Sequence, residues 1–266
     1  MTRLNHQLIA FNTAKDSENR MHDDVTAQRF GFVGGLVPGV EVYAYMTRPA
    51  VAHWGPEWLA RGWLSARFNQ PVYDGEATDV NAKMAADGQM TIEVRVGEKL
   101  CATGRAGLQV SAPVPGLAAL PYQPLPAGDQ RPLASFENLP DGKVLGAVDF
   151  DCAPSALADY LGWVSDDLPL YQGGGHVHPG LILRLANAAL KDNVLLGPWI
   201  HVGSSAQHFA PAYSGDKLQA RAKVAASYEK RGHRFVDLDV IVSRADDLIA
   251  EISHTAIFEP RQAITC

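Results

Sequence analysis

Apolar residues run almost unbroken through Val40-Glu41-Val42-Tyr43-Ala44-Tyr45-Met46 and again through Leu181-Ile182-Leu183-Arg184-Leu185-Ala186-Asn187-Ala188-Ala189-Leu190. Both blocks read as helices buried on most of their circumference. The first is predicted to begin near Val37-Pro38-Gly39 and the second at Pro179-Gly180, because proline suits the first helical position. Downstream of each helix the period changes to two. Arg221, Lys223, Asp237 and Asp239 alternate with apolar neighbours, the pattern of strands with one wet face. In the first half this predicts strands over Trp63 to Phe68, Val72 to Asn81, Met90 to Val96 and Lys99 to Leu108, the last two with the spacing of a hairpin around Gly97-Glu98. In the second half it predicts a strand over Lys143 to Phe150, a short helix from Pro154 to Leu161, and strands over Trp199 to His208, Lys217 to Tyr228, His233 to Ser243 and Leu248 to Phe258.

The same phrases recur about 140 residues apart. Ser65-Ala66-Arg67-Phe68-Asn69-Gln70-Pro71-Val72-Tyr73-Asp74-Gly75-Glu76 aligns without a gap on Ser205-Ala206-Gln207-His208-Phe209-Ala210-Pro211-Ala212-Tyr213-Ser214-Gly215-Asp216. Upstream, Gly34-Gly35-Leu36-Val37-Pro38-Gly39 is echoed by Gly174-Gly175-His176-Val177-His178-Pro179-Gly180. A unit this long is a duplicated domain and not a solenoid repeat. The expected division is one domain over 1–110, a Pro/Gly-rich linker over 111–141, semi-extended because proline fixes its own dihedral, and a second domain over 142–266. One helix followed by a long antiparallel sheet, done twice, is an α+β arrangement in which each sheet wraps its own helix, and two such sheets can join edge to edge.

Composition narrows the function classes. Of the 266 residues 47% are hydrophobic and 20% charged, enough apolar material for two cores. The net charge of -6, with no run of Lys or Arg, gives no attraction to nucleic acid. No apolar stretch approaches the roughly 20 residues needed to cross a bilayer, and the N-terminus lacks the apolar core of a signal peptide, so a cytoplasmic protein is expected. Cys101, Cys152 and Cys266 are far apart and read as structural free thiols of a reducing compartment. G-x-G-x-x-G, P-loop and G-x-S-x-G phrases are absent, which removes the sequence support for nucleotide-cofactor oxidoreductases and α/β-hydrolases.

With these phrases the chain resembles the MaoC-like hydratase and dehydratase family, whose members have the hotdog fold, a long helix wrapped by an antiparallel sheet. The family's P-V-x-x-G-D phrase is matched at Pro71-Val72-Tyr73-Asp74-Gly75-Glu76 and at Pro211-Ala212-Tyr213-Ser214-Gly215-Asp216, and its glycine-rich helix start is matched twice. The resemblance implies a double hotdog, the two sheets joined as a pseudo-dimer, acting on 2-enoyl thioesters of coenzyme A or of a carrier protein in fatty acid metabolism. It implies no cofactor beyond the coenzyme A or phosphopantetheine of the substrate, no metal, no nucleic acid and no membrane, with a homodimer as the further assembly. The catalytic phrase D-x-N-P-[LIV]-H survives only in pieces. Asn19-Arg20-Met21-His22 keeps Asn and His but has Ser17 at the aspartate position, with Asp16 one residue early. Asp166-Asp167-Leu168-Pro169-Leu170-Tyr171 keeps Asp and Pro but has Leu168 for Asn and Tyr171 for His.

Adding water across a 2-enoyl thioester requires a base for the water, an acid for the α-carbon, and a donor for the enolate-like thioester oxygen. An Asp and a His sharing one water meet the first two needs, and a backbone N–H at a helix start meets the third. His22 is therefore the leading catalytic candidate, with Asp16 as its acid and Asn19 orienting the loop. The competing reading is a surface or helix-capping histidine ahead of Asp23-Asp24. Asp166 and Tyr171 are the counterparts in the second half, unless Asp166 caps a turn and Tyr171 merely packs. The backbone of Gly39 and Gly180 is expected to face a thioester oxygen. His176 and His178 are expected at the pocket mouth, where their spacing would also suit metal ligands had they a third partner. Trp63, with Trp54 and Trp58, is a candidate wall of an acyl channel, and Arg61, Arg67, Lys217 and Arg221 are candidates for the carrier phosphates. Two rivals to the hydratase remain: a thioesterase in which Asp16 or Asp166 activates water, and a non-catalytic acyl-thioester binding or assembly module.

Overall fold

The computed structural model of the protein describes residues 4–109, 120–173 and 175–261. In chain order the first half comprises β1 (His6–Ile9), α1 (Asp24–Arg29), α2 (Gly39–Trp54), α3 (Pro56–Arg61), β2 (Gly62–Phe68), β3 (Ala77–Met84), β4 (Met90–Val96) and β5 (Lys99–Leu108). The second comprises β6 (Val148–Asp151), α4 (Pro154–Val164), α5 (Pro179–Lys191), β7 (Ile200–His208), β8 (Lys217–Lys230), β9 (His233–Arg244) and β10 (Asp247–Glu259). All ten strands form one antiparallel sheet in the order β1-β3-β4-β5-β2-β7-β10-β9-β8-β6. Strands alternate buried and exposed positions, as along β3 and β8, so one face packs on α2 and α5 and the other meets solvent. Helices α2 and α5 bury nearly every apolar side chain, from Tyr43 and Met46 to Ile182 and Leu190, in a core common to both halves. This is the double hotdog that the resemblance implies.

The join between the halves is symmetric. β2 pairs with β7, and Ser65 lies opposite Ser205, the same position of the repeat in each copy. A pseudo-twofold axis therefore passes through this pair, and the two sheets meet as an isologous dimer interface would, leaving no open edge at the centre. The bridges Leu36 to Tyr73 and His176 to Tyr213 occupy equivalent places in the two copies.

The repeated phrases have a structural cause. In Pro-Val-Tyr-Asp-Gly-Glu the Glu76 carboxylate accepts a hydrogen bond from the Tyr73 amide at 2.8 Å, and Asp216 does the same for Tyr213 at 2.8 Å. Gly75 and Gly215 sit at φ of 77° and 87°, where a side chain would be strained, and donate to the Ala10 and Cys152 carbonyls. The turn thus ties the start of β3 or β8 to the loop beside the neighbouring edge strand. That explains why scaffold phrases survive in both copies whatever the chemistry.

Some elements depart from the expected bounds. α2 runs on to Trp54 through Pro49, because helix packing on the sheet outweighs one missing backbone donor. The strand expected from Val72 begins only at Ala77, since Tyr73 to Glu76 form the tight turn, and the strand expected from Lys143 shrinks to Val148–Asp151. Ahead of it, Leu145 and Ala147 already hydrogen-bond to Ala222 and Gln123 as an irregular segment. Residues 120–141 of the expected linker lie against the second half, with Leu120 and Leu139 buried, and Arg131 reaches Glu18 of the first half at 3.1 Å. Cys101 and Cys152 are buried free thiols, and burial pushes the Cys152 thiol up to about 12. Cys266 and residues 111–119 lie outside the described residues. No described helix is long and apolar enough to cross a membrane.

Candidate active site

The loop before α1 folds into a single 3₁₀ turn, Arg20–His22, capped by Asn19. The Asn19 Oδ1 accepts from the Met21 amide at 3.2 Å and from the Trp199 amide at 3.1 Å, and its Nδ2 donates to the Trp199 carbonyl at 3.0 Å. One side chain thus pins the first half's loop to the start of β7 in the second. These partners fix the amide's orientation, so Nδ2 also donates to His22 Nε2 at 3.1 Å. The opposite ring atom, Nδ1, is 2.6 Å from the Leu36 carbonyl, which can only accept. His22 is consequently a neutral imidazole with its proton on Nδ1 and its lone pair on Nε2. Burial holds it below the usual histidine range, with the Leu36 carbonyl and the charge of Glu41 pulling the other way. Gly35 explains the glycine ahead of α2: a Cβ there would collide with the His22 carbonyl, so glycine lets the loop close on the helix start.

His22 stands between two cavities. One, of about 270 Å³, is largely apolar and runs past Met21, Phe32, Phe68 and Val72 to Gly39, the first residue of α2. The other, of about 660 Å³, extends between α2 and α5 past Glu41, Phe150 and Arg184. They share Asn19, His22, Pro38, Asn187 and Trp199. Among the described residues no acceptor takes the Gly39 amide, which leaves a donor at the positive end of a helix for a developing negative charge. In the larger cavity Arg184 holds the buried Glu41 carboxylate and Thr13, fastening α5 to α2 across the pseudo-dyad. The described residues contain no cluster of three potential metal ligands.

The second half has the same backbone and a different interior. Asp166 Oδ2 is 3.2 Å from His178 Nε2, and its Oδ1 is 2.5 Å from Arg48 of α2 and 3.0 Å from the Leu168 amide. Burial alone would raise the Asp166 carboxyl; its hydrogen bonds and the Arg48 charge outweigh burial and hold it below the usual range. His178 Nδ1 accepts the Gly180 amide at 3.0 Å, and the first residue of α5, the counterpart of Gly39, is Pro179, which has no amide hydrogen to offer. Gly180 is itself covered: an added Cβ would strike the Tyr160 hydroxyl and come within 2.6 Å of Ala44 Cβ. Tyr171 packs tilted on His178 at 4.9 Å between ring centroids, and its buried hydroxyl, without a partner among the described residues, is pushed well above the usual range by burial. The acid, histidine and tyrosine are brought together as a clamp between the halves, and Asp166 and Tyr171 border a separate cavity of about 450 Å³ that contains neither His178 nor the start of α5.

The other expected site residues are dispersed. Asp16 is exposed and makes no hydrogen bond, so the expected Asp16–His22 pair does not form. His176 stacks on Tyr213 at 4.9 Å and borders neither cavity, and His178 is buried in the clamp, so neither stands at a pocket mouth. Trp63 projects from the face of β2 opposite the helices and lines neither cavity. Two residues absent from the sequence-based list line the site, Asn187 and His201. Asn187 is the one amide on the apolar face of α5 three residues after Arg184, a polar interruption that marks the cavity wall; its Oδ1 is buried without a partner. His201 carried no signal beyond lying at the start of a predicted strand.

No family model matches the chain, and no curated protein does. Solved structures do match over nearly its whole length. A protein described as a MaoC domain dehydratase from Chloroflexus aurantiacus is 12% identical, covers 97% of this chain and 96% of its own, and superposes with a TM-score of 0.64. A conserved Mycobacterium tuberculosis protein with a double hotdog fold is 14% identical over 95% of each chain, with a TM-score of 0.56. An oleoyl thioesterase from Lactobacillus plantarum is 11% identical over 97% and 96%, with a TM-score of 0.55. At such identities the likeness establishes the double hotdog fold, which hosts both chemistries.

Proposed function

We propose, from the premise that this is a double hotdog protein, that it catalyses the reversible hydration of 2-enoyl thioesters at one site, built on the first half and completed by β7 and α5 of the second. The observation that carries this reading is the free Gly39 amide at the start of α2, in an apolar cavity beside a neutral, half-buried His22. The thioester oxygen binds at the Gly39 amide, where negative charge accumulates as water adds to C3. His22 Nε2 takes a proton from that water, exchanging its Asn19 contact for the water, and returns it to C2 as the enolate collapses; one water is added and His22 ends neutral. The clamp at Asp166, and Pro179 without an amide hydrogen where the first half has Gly39, support assigning no turnover to the second half.

The carrier is a phosphate-bearing thiol, coenzyme A or the phosphopantetheine of a carrier protein. Arg67, Lys230 and Arg231 line a cleft of about 590 Å³ that shares Phe68, Val202, His233 and Ile257 with the smaller cavity. The test is hydration of crotonyl-CoA followed through loss of its conjugated absorbance. His22→Ala is expected to lose about a hundredfold to ten-thousandfold in kcat. Release of free thiol without hydration assigns the site to thioester hydrolysis instead, and binding with neither reaction assigns it to acyl-thioester binding.

A further inference from the structure

Next to His22 the cavity holds a second imidazole. His201, on β7, is only 7% exposed, and its Nδ1 is buried with no hydrogen-bond partner among the described residues. The ring covers the start of α2: a Cβ added to Gly39 would lie 2.8 Å from Nδ1 and 3.1 Å from Phe68 Cε2. Its other nitrogen is anchored. Nε2 is 3.2 Å from the Gly203 carbonyl and 2.7 Å from Ser204 Oγ, which in turn lies 2.9 Å from His254 Nδ1. A carbonyl only accepts, so the proton is on Nε2, the Ser204 hydroxyl points to His254, and Nδ1 keeps an unpaired lone pair in the wall that His201 gives the cavity. The helix start agrees with this choice, because an N–H on Nδ1 would face the positive end of α2. Burial, reinforced by His254, holds His201 well below the usual histidine range, which keeps that lone pair open.

Burying an acceptor unpaired is unfavourable, and a ligand bearing a donor relieves that penalty. We infer that His201 Nδ1 is the hydroxyl receptor of the site, accepting a hydrogen bond from the 3-hydroxyl of a 3-hydroxyacyl thioester, and from the second O–H of the attacking water in the reverse direction. This rests on the hydration reading for the identity of the hydroxyl. It gives the role of the carboxylate that Ser17 lacks to a residue of the other half: His22 and His201 hold the two O–H bonds of one water between them.

The test compares the binding of 3-hydroxybutyryl-pantetheine and butyryl-pantetheine, which differ by that hydroxyl, by calorimetry on the wild type and on His201→Gln. Glutamine retains an amide N–H for Gly203 and Ser204 while removing the Nδ1 lone pair. The wild type is expected to prefer the hydroxylated probe about tenfold or more, the discrimination a site built for a hydroxyl achieves, and His201→Gln to lose that preference. Nitrogen-15 spectra of the wild type are expected to show an unprotonated His201 Nδ1 whose resonance moves on adding the hydroxylated probe, a readout that stands even if the variant does not fold. Equal affinities in the wild type, a preference that survives in His201→Gln, a protonated Nδ1, or no binding of either probe overturns the inference. A His201-dependent preference without crotonyl-CoA hydration removes the hydratase reading and leaves the hydroxyl receptor standing. Hydration with the preference intact in His201→Gln does the reverse.

Discussion

Lowering the pH should destabilise this protein through buried histidines, and His208, which lies outside the cavity, gives the cleanest case. The residue is 1% exposed on β7, tilted against Trp58 at 5.1 Å between ring centroids, and neither ring nitrogen has a partner. Burial alone pulls its pKa down to about 4. In the unfolded chain the same side chain titrates near 6.5. Because the folded value is the lower one, the unfolded chain takes up the proton first, and stability falls as pH drops through about 6.5, until the folded state also protonates near 4. The full effect is about 3 kcal/mol, of which about 2 kcal/mol is lost between about pH 7 and about pH 5. His254, buried and held at about 3, adds a loss of the same sign. Urea unfolding followed by tryptophan fluorescence at the two pH values measures this for the wild type and for His208→Leu, whose side chain of similar size does not titrate. The variant should lose about 2 kcal/mol less stability than the wild type over that interval. Equal pH slopes for the two proteins would refute the argument that the folded state buries this ring uncharged.

The remaining predictions concern the two helix starts and the contacts that join the halves. Gly39→Ala pushes a methyl group against His201 and Phe68 inside the cavity; calorimetry should show binding of butyryl-pantetheine weakened about tenfold or more, with little change in Tm, since alanine also favours the helix. Gly180→Ala meets Tyr160 and Ala44 in a closed core, and should cost about 2 kcal/mol in urea unfolding without a direct effect on the cavity. Asp166→Ala removes the buried anion beside His178 while Arg48 keeps Asp167 at 2.6 Å, with an expected loss of about 3 kcal/mol measured the same way. Asn19→Ala removes the link between Trp199 and His22, and is expected to lower kcat for crotonyl-CoA hydration at least tenfold while the circular dichroism spectrum is retained.

The scaffold was legible because its signals are local. Proline ahead of each buried helix, alternation along β8 and β9, and a turn phrase with a glycine at positive φ each follow from forces within a few residues, and the repeat stated them twice. The candidate site was legible in part. His22 and Asn19 kept their spacing, and a three-residue turn with a side-chain cap is again local. Asp16 was misplaced as a partner because sequence proximity does not fix where a loop side chain points; here it points to solvent. The clamp of Asp166, His178 and Arg48 was half visible, since two of its members lie twelve residues apart while the third comes from the other half of the chain.

What the sequence by itself determined was therefore the duplication, the α+β elements and the break in the D-x-N-P-[LIV]-H phrase in each copy, all properties of short stretches read in order. What only the tertiary structure decided was which residues of one copy face the other. Pairing β2 with β7 about the Ser65–Ser205 axis places Trp199, His201 and Asn187 against the first half's loop and helix, and Arg48 against Asp166. Those encounters separate one open helix start from one closed one. Their cause is the burial of two apolar helices beneath a single shared sheet, a force that acts without regard to distance along the chain and leaves no periodic trace in it.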